Sequence, residues 1–341
     1  MAVGFRRGYG EINVSGGSVN IGNMGIYVGT EVDGEGINAP SSDANCATGV
    51  VNVTRGALYV GGNAASYDGR QICGFVIGYG AVLKTAELRS QTHYWGVLNL
   101  SGNGLVGTER GALVIGAGSA DGVVRQSGGR LSMASSVAPV VVGFEGGTGS
   151  YDFTDGQIDC VDIYVGGATI DQLKHCDANG DNVLKTSLFQ PDRHDAQGTL
   201  KLAGGVANVT AGIHVGVDGS GVVEVSGANS TACASFDLTG GNATLAFKLA
   251  ANGKVGWSFR PAAINIGSGA KLVVDMSECS EVPFGWSKLA EATSVTGTFA
   301  PEDISVVLPK NVKHGVEIVY EHNGQPGIWM HAGNGLAIFV R

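Results

Sequence analysis

Apolar and polar positions alternate along this chain in short triplets that are followed by a small residue and a glycine. In the first repeated pattern, apolar, polar and apolar residues precede Ser, Thr or Ala, and Gly follows one or two positions later. Period-two alternation predicts β-strands that turn one face to a core and the other to water. The copies begin at Ile12, Val51, Leu98, Val124, Tyr151, Leu200 and Val223.

The middle position of each triplet is polar, so we expect that face of each strand to meet solvent. Its residues are Asn13, Asn52, Asn99, Arg125, Asp152, Lys201 and Glu224. The flanking positions are apolar except for Gln126, which the alternation leaves unexplained. The glycine after each triplet supplies the positive φ that a sharp corner needs.

A second pattern, apolar-x-apolar-Gly, follows most copies of the first and predicts a second strand in each repeat. Its copies begin at Ile26, Leu58, Phe75, Leu113, Val140, Ile163, Ile213 and Ile264. The Ser, Thr or Ala positions of the first pattern are 15, 54, 101, 127, 154, 203 and 226, which gives steps of 39, 47, 26, 27, 49 and 23. The short steps fit one coil of a parallel β-helix of roughly 25 residues. The long steps are either one coil plus an insertion, or two coils with a degraded copy between them.

These patterns predict an all-β fold, a right-handed parallel β-solenoid (β-helix) with loop insertions and a C-terminal β cap. We expect the solenoid to occupy residues 1–270, with insertions near 30–48, 62–95 and 167–196. Residues 271–341 lose the repeat and carry larger side chains, so we expect them to form a C-terminal capping β unit that closes the apolar end of the stack.

Composition narrows the range of functions. The chain has 57 Gly but only 8 Pro in 341 residues, without a three-residue period, so it is not collagen. The net charge of −9 and the lack of any basic cluster longer than Arg6-Arg7 disfavour nucleic acid and anionic membranes as partners. No apolar run approaches the ~20 residues of a transmembrane helix, so no membrane insertion is expected. The first residues lack the apolar run of a signal peptide, so the sequence does not identify a route of export.

The repeats resemble a known class of bacterial surface proteins. The segments Ile12–Gly29, Val51–Gly61, Leu98–Gly116 and Leu200–Gly227 are similar to autotransporter-associated β-strand repeats, the glycine-rich β-solenoid passengers of exported proteins. The resemblance covers roughly residues 10–270. It implies an exported rod, at the cell surface or outside the cell, that serves in adhesion, spacing or assembly.

One loop has the beginning of a calcium site. Asp177, Asn179 and Asp181 form the D-x-N-x-D start of an EF-hand-like loop. The sixth position is Asn182 and the twelfth is Leu188, so the usual Gly and bidentate acid are missing. A polar turn built from Asp and Asn is the alternative. We expect no other cofactor.

Six cysteines allow three disulfides, which would fit an oxidising compartment. They are Cys46, Cys73, Cys160, Cys176, Cys233 and Cys279. Pairing them in chain order, first with second and so on, is one of fifteen possible connectivities. The alternative is that they are small buried thiols, because free cysteine is commonly buried.

Two further clusters suggest carbohydrate chemistry. Asp152, Asp155, Asp159 and Asp162 form a dense acidic stretch from which an acid and a base could cleave polysaccharide. A solvated strand face explains the same residues without chemistry. His93, Tyr94 and Trp95, in a predicted insertion, could stack on a sugar ring or serve as a flap over the core.

We therefore expect an extracellular structural or adhesive β-solenoid without enzymatic activity. The strand pattern begins by Glu11, and an uncapped first coil would expose a strand edge that can pair with another chain. Truncation, a short cap made by residues 1–10, and head-to-tail stacking on another copy are the three explanations of this end. Head-to-tail stacking of this kind generates a filament, which makes copies of the chain the expected partners, with surface polysaccharide as a further candidate. The alternatives are a polysaccharide-acting β-helix enzyme, either lyase or hydrolase, and a surface carbohydrate-binding module.

Overall fold

The computed structural model is almost entirely β-structure. It describes residues 1–5, 8–21, 26–30, 46–60, 74–79, 93–108, 112–118, 120–133, 139–168, 195–239, 242–280, 282–310, 315–333 and 338–340. The strands of the first half are β1 (Ala2–Phe5), β2 (Tyr9–Val14), β3 (Ser18–Ile21), β4 (Ile26–Thr30), β5 (Cys46–Val60), β6 (Gly74–Tyr79), β7 (His93–Thr108), β8 (Ala112–Ala117), β9 (Ala120–Met133), β10 (Val140–Phe144) and β11 (Thr148–Val165). Those of the second half are β12 (Ala196–Leu202), β13 (Val206–Val215), β14 (Gly219–Val225), β15 (Ser230–Leu238), β16 (Ala243–Lys248), β17 (Ser258–Ile266), β18 (Lys271–Asp275), β19 (Gly285–Glu291), β20 (Ser294–Thr296), β21 (Ile304–Val307), β22 (Gly315–His322), β23 (Gln325–Gly333) and β24 (Ile338–Val340). The one helical element among the described residues is the 3-10 turn Pro301–Asp303.

Parallel pairing joins twenty of these strands into one long sheet, in which each strand bonds to its counterpart one repeat later. The pairs form three ladders. Ladder 1 contains β2, the first parts of β5, β7, β9 and β11, then β12, β14, β16, β18 and β21. Ladder 2 contains β3, the later parts of β5, β7 and β9, the middle of β11, and the first parts of β13, β15 and β17. Ladder 3 contains β1, β4, β6, β8, β10, the end of β11, the later parts of β13, β15 and β17, and β20.

The triplets of the first pattern all lie in ladder 1, in matching register. Asn13 neighbours Asn52, and Asn52 neighbours Asn99, although these positions are far apart in sequence. Asp152 likewise neighbours Lys201. Because copies separated by a long step pair directly, each long step is one coil plus an insertion. The alternative of two coils with a degraded copy between them is wrong.

The second pattern combines strands from two ladders. Seven of its copies belong to ladder 3, but Leu58-Tyr59-Val60 pairs with Val19-Asn20-Ile21 in ladder 2. The predicted insertion 62–95 also contains β6, which is a regular strand of ladder 3. Residues 31–45, 61–73, 80–92 and 169–194, which make up most of the predicted insertions, lie outside the described residues.

Alternate residues of the three ladders point inward and form one continuous hydrophobic core. Gln126, the exception in the sequence pattern, is fully buried in the inward column between Leu100 and Phe153. The hydroxyl of Tyr151 donates to Oε1 of Gln126 at 2.5 Å, and Nε2 of Gln126 donates to the carbonyl of Gln157 at 3.0 Å. The amide is therefore hydrogen-bonded at both ends, as a buried polar group must be.

A column of stacked glycines lines the corner where each coil enters ladder 1. Its members are Gly10, Gly49, Gly96, Gly122, Gly149, Gly198 and Gly221. A Cβ atom at Gly122 would overlap the carbonyl oxygen of Ile77 and the amide nitrogen of Gly116. Gly116 itself has a φ of +71°, so both glycines are needed to bring the backbone around this corner.

The last strands form a separate four-stranded sheet in the order β19-β23-β22-β24, with antiparallel pairing except between β22 and β24. Its inner face, including Ile318 and Met330, belongs to the same core as the ladders. The indole N–H of Trp257 donates to the carbonyl of Leu289 at 2.9 Å and ties the two sheets together. Ladder 1 continues through β18 and β21 to Val307, so the parallel stack extends beyond the predicted boundary at residue 270.

Candidate functional surface

The outward column of ladder 3 changes from apolar to polar along the stack. On five successive coils it is apolar and buried: Tyr27, Val76, Val114, Val141 and Tyr164. On the next three coils the same column carries His214, Asp237 and Asn265. The parallel register therefore places one histidine directly beside acidic groups of neighbouring coils.

His214 joins two carboxylates from different coils. Its Nε2 lies 3.2 Å from Oδ1 of Asp162, and its Nδ1 lies 2.8 Å from Oδ2 of Asp237. The ring of Tyr164 stacks on the imidazole, with the centroids 4.8 Å apart. The histidine is therefore held by a charged partner at each nitrogen and by an aromatic ring on one face.

Each carboxylate is also bound by neutral donors. Asp162 accepts the backbone N–H of Gly212 at 2.9 Å. Asp237 accepts the Ser235 hydroxyl at 2.8 Å and the Asn265 amide at 2.5 Å. These bonds hold both carboxylates in contact with the imidazole. Asp162, His214, Asp237 and Asn265 therefore form one hydrogen-bonded cluster that crosses successive coils.

The cluster favours a charged histidine. Burial lowers the pKa of His214, but the hydrogen bonds and charges of Asp162 and Asp237 outweigh burial and raise the pKa from 6.5 to about 9. Burial raises the pKa of Asp237, yet its bonds from His214, Asn265 and Ser235 outweigh that effect and lower the pKa. At neutral pH the column therefore contains an imidazolium between carboxylates.

This arrangement suits cohesion between coils better than catalysis. Both ring nitrogens of His214 donate to carboxylates, so neither can accept a proton from a substrate. Within the described ranges, no three His, Cys, Asp or Glu side chains converge as a metal site requires.

The outward column of ladder 1 also bonds from coil to coil. The Asn52 amide donates to Oδ1 of Asn13 at 2.8 Å, and the Asn99 amide donates to Oδ1 of Asn52 at 2.8 Å. Farther along, the column alternates in charge through Arg125, Asp152, Lys201 and Glu224. Nζ of Lys201 lies 3.3 Å from Oδ1 of Asp152. The polar middle positions of the triplets thus interact with one another as well as with solvent.

The acidic residues of the predicted cleavage site do not converge. Asp152 lies in ladder 1, Asp159 in ladder 2 and Asp162 in ladder 3, while Asp155 lies at the corner after ladder 1. Asp155 accepts the backbone N–H of Gly156 at 2.7 Å. The four residues follow one another in sequence, but the strand turns them toward different faces of the stack.

Asp159 is held as an anion. Burial raises its pKa, but hydrogen bonds from Asn208, Gln157 and Arg130 and the charge of Arg130 outweigh burial and lower the pKa. Nε of Arg130 lies 2.6 Å from Oδ2 of Asp159. A general acid in polysaccharide cleavage needs a raised carboxyl pKa, so Asp159 is tuned in the opposite direction.

The cysteines differ from the predicted disulfide framework. Cys160, Cys233 and Cys279 are free buried thiols, so the expected bonds of Cys160 with Cys176 and of Cys233 with Cys279 are both wrong. Cys160 and Cys233 each neighbour Val209 in ladder 2, where they fill inward positions as small apolar side chains. Burial raises the pKa of both thiols, which keeps them protonated. Cys73, Cys176 and the side chain of Cys46 lie outside the described residues.

The remaining predicted sites are only partly described. His93, Tyr94 and Trp95 begin β7 and pair with Cys46, Ala47 and Thr48, so they belong to ladder 1 and not to an insertion. Trp95 is 41% exposed. The calcium-loop residues Asp177, Asn179 and Asp181 lie outside the described residues.

Sequence reasoning missed an aromatic cluster on the outer face of the four-stranded sheet. Trp286 stacks on His322, with ring centroids 4.1 Å apart and planes at 25°, and it also contacts His331 at 4.7 Å. His322 in turn contacts Trp329 at 5.1 Å. The sequence could have indicated this cluster, because Trp329 and His331 are two residues apart in β23 and residues two apart lie on the same face of a strand.

A cleft of about 820 Å³ opens beside this cluster. Trp286, His322 and Asn323 line it together with the carboxylates Glu317 and Glu321. Its walls thus combine one partly exposed indole with several hydrogen-bonding side chains.

Across the part of the chain that the structure describes, no helix has the length and apolar character needed to span a bilayer. The chain matches no protein-family model and no curated protein sequence.

Proposed function

We propose that this chain is an exported structural rod, of the type built from autotransporter-associated β-strand repeats. It is a right-handed parallel β-solenoid that works outside the cell or at its surface, where it provides adhesion or spacing. The observation that carries this proposal is the direct bonding of outward side chains from coil to coil, in the asparagine and charge column of ladder 1 and around His214 in ladder 3.

Coil-to-coil bonds suit a load-bearing rod because they oppose the separation of neighbouring coils. In each ladder the parallel backbone bonds already link successive coils, and the outward columns add side-chain bonds along the same axis. Bonding along the axis of a repeat structure stabilises the interfaces on which such a protein depends.

The four-stranded sheet acts in this proposal as the cap of one end. Its inner residues share the core with the ladders, and Phe299 donates its backbone N–H to the Tyr320 hydroxyl at 2.9 Å. A cap of this kind covers inward side chains that would otherwise meet water.

The opposite end supports head-to-tail stacking. Among the described residues, β2 and β3 each pair on one side only, with β5. The inward side chains Ile12 and Ile21 are only partly buried there. An unpaired strand edge beside apolar side chains can take another coil in the same parallel register, so a second copy can extend the stack into a filament.

A polysaccharide-cleaving enzyme has less support. Its candidate acids lie on different faces, and Asp152, Asp159 and Asp162 are each bonded to a partner on a neighbouring coil. The proposal therefore assigns these carboxylates to cohesion.

Negative-stain electron microscopy of the purified chain tests the proposal. We expect rods that join end to end, and we expect Ile12→Glu to abolish the joining, because it places a charge on the apolar end. Asn20→Glu is the matched control, since Asn20 is an exposed residue of the same coil that points outward, between Val19 and Ile21. Separate rods in all three samples would reject stacking but keep the rod. Joined rods of Ile12→Glu would reject this end as the interface, and compact particles would reject the rod itself.

A further inference from the structure

We propose that the cleft beside Trp286 binds a neutral glycan, which stacks a sugar ring on the indole and bonds its hydroxyls to the flanking polar side chains. This proposal is independent of the structural rod, because the four-stranded sheet carries all of the groups except Ser294 and Val295 on the adjoining β20.

The indole is held in position before any ligand arrives. Trp286 is 42% exposed, and the ring of His322 stacks on it at 4.1 Å. In the sheet, Trp286 is also paired with His331 on the neighbouring strand. A large, fixed and partly exposed aromatic ring offers apolar contact at low entropic cost, which suits the C–H face of a sugar.

The polar groups of the cleft suit hydroxyls. Glu317 and Glu321 provide carboxylate acceptors from β22, Asn323 provides an amide, and Ser294 provides a hydroxyl from β20. The Asn323 amide nitrogen lies 3.1 Å from Nε2 of His322, which links this polar wall to the aromatic one. Sugar hydroxyls both donate and accept, so a wall that contains both kinds of group can satisfy them.

The charges favour a neutral glycan over an acidic one. The carboxylate of Glu321 would repel the carboxylate or sulfate of an acidic sugar. The cation on the neighbouring strand, Lys288, is bound to Glu291 at 2.6 Å. A quaternary ammonium ligand fits less well, because such ligands are usually enclosed by several aromatic faces. Tyr320 also lines the cleft, but its hydroxyl is bound to the backbone of Phe299.

The test uses the full chain and four uncharged probes: cellohexaose, maltohexaose, mannohexaose and xylohexaose. Isothermal titration calorimetry and tryptophan fluorescence follow binding of each probe at up to about 10 mM. We expect at least one probe to bind, and Trp286→Ala to weaken that binding by about tenfold or more. Tyr9→Ala is the control, because Tyr9 is also an exposed aromatic residue (66%) but lies in β2 of ladder 1.

Two further measurements keep the test decisive. If Trp286→Ala lowers the unfolding temperature, Glu321→Gln replaces it, and the same loss of affinity is expected because the neutral amide is a weaker acceptor. Oligogalacturonate is the acidic probe and is expected not to bind. Absence of binding by all neutral probes, binding that survives Trp286→Ala and Glu321→Gln, or preferential binding of oligogalacturonate would each overturn the proposal.

Discussion

At the scale of single residues, close backbone approach decides which side chains the corners accept. Gly122 has no side chain because the backbones of Ile77 and Gly116 occupy the space where a Cβ would lie. The same overlap recurs at Gly149, where a Cβ would meet the Ile115 carbonyl and the Gly143 nitrogen. The high glycine content is thus concentrated where adjacent turns of the chain touch.

Gly122→Ala is expected to destabilise the protein by about 3 kcal/mol or more, because backbone atoms on two sides cannot move away from the new methyl group. Urea unfolding followed by circular dichroism measures this. The control is Gly16→Ala, where a Cβ would meet nothing within 4 Å. That variant should stay within about 0.5 kcal/mol of the parent. Equal effects of the two substitutions would show that close approach at the glycine column is not what the fold requires.

At the scale of elements, the outward columns link strands that are far apart in sequence. His214 and Asp162 are separated by 52 positions, yet the register of β11 with β13 brings them into contact. The pKa of His214 in the folded chain, about 9, exceeds the ordinary value of 6.5. Its contribution to stability is therefore complete below about pH 6.5 and is lost as the pH rises through about 9.

The unfolding free energy should consequently fall between about pH 6.5 and pH 9, by at most about 3 kcal/mol. His214→Gln should lower stability at pH 6 and remove most of this slope, because glutamine carries no charge. Urea titrations of both proteins at several pH values measure the two slopes. Parallel slopes would mean that the contacts with Asp162 and Asp237 do not stabilise the charged imidazole.

The sequence predicted some ladders better than others, for a physical reason. Ladder 1 has large inward side chains such as Leu200 and Leu202, so its alternation is strong. Ladder 2 fills several inward positions with small or polar residues such as Ala207, Thr231 and Cys233, so the pattern recognised it only at Leu58-Tyr59-Val60. Thr231 is fully buried and donates to Oδ1 of Asn229 at 2.6 Å, which no hydrophobic pattern can indicate.

The functional residues were harder to predict than the strands. The sequence indicated Asp162 only as part of an acidic run. A long insertion separates it from its partner His214, so the sequence alone does not show that the two residues lie on neighbouring strands. The disulfide expectation failed because an even number of cysteines does not distinguish bonded pairs from thiols that fill a core, as Cys160 and Cys233 do. The cleft beside Trp286 lay in a segment interpreted only as a cap.

At the scale of the whole molecule, three ladders in one parallel sheet share a single core with the terminal four-stranded sheet. The outward column of ladder 1 is polar from Asn13 to Glu224, whereas that of ladder 3 is apolar and buried from Tyr27 to Tyr164. In the proposed rod, side-chain bonds link neighbouring coils along the axis, and the proposed glycan cleft lies at one end, between the terminal sheet and β20.

The most direct test of the central claim, a rod of stacked coils, is cryo-electron microscopy of the purified chain. The expected image is an elongated particle with three sides and a layer spacing of about 4.8 Å along its long axis, because neighbouring strands in a ladder are separated by that distance. A compact particle, or a 4.8 Å spacing that runs across the long axis, would contradict the stacked-coil architecture and the structural function that depends on it.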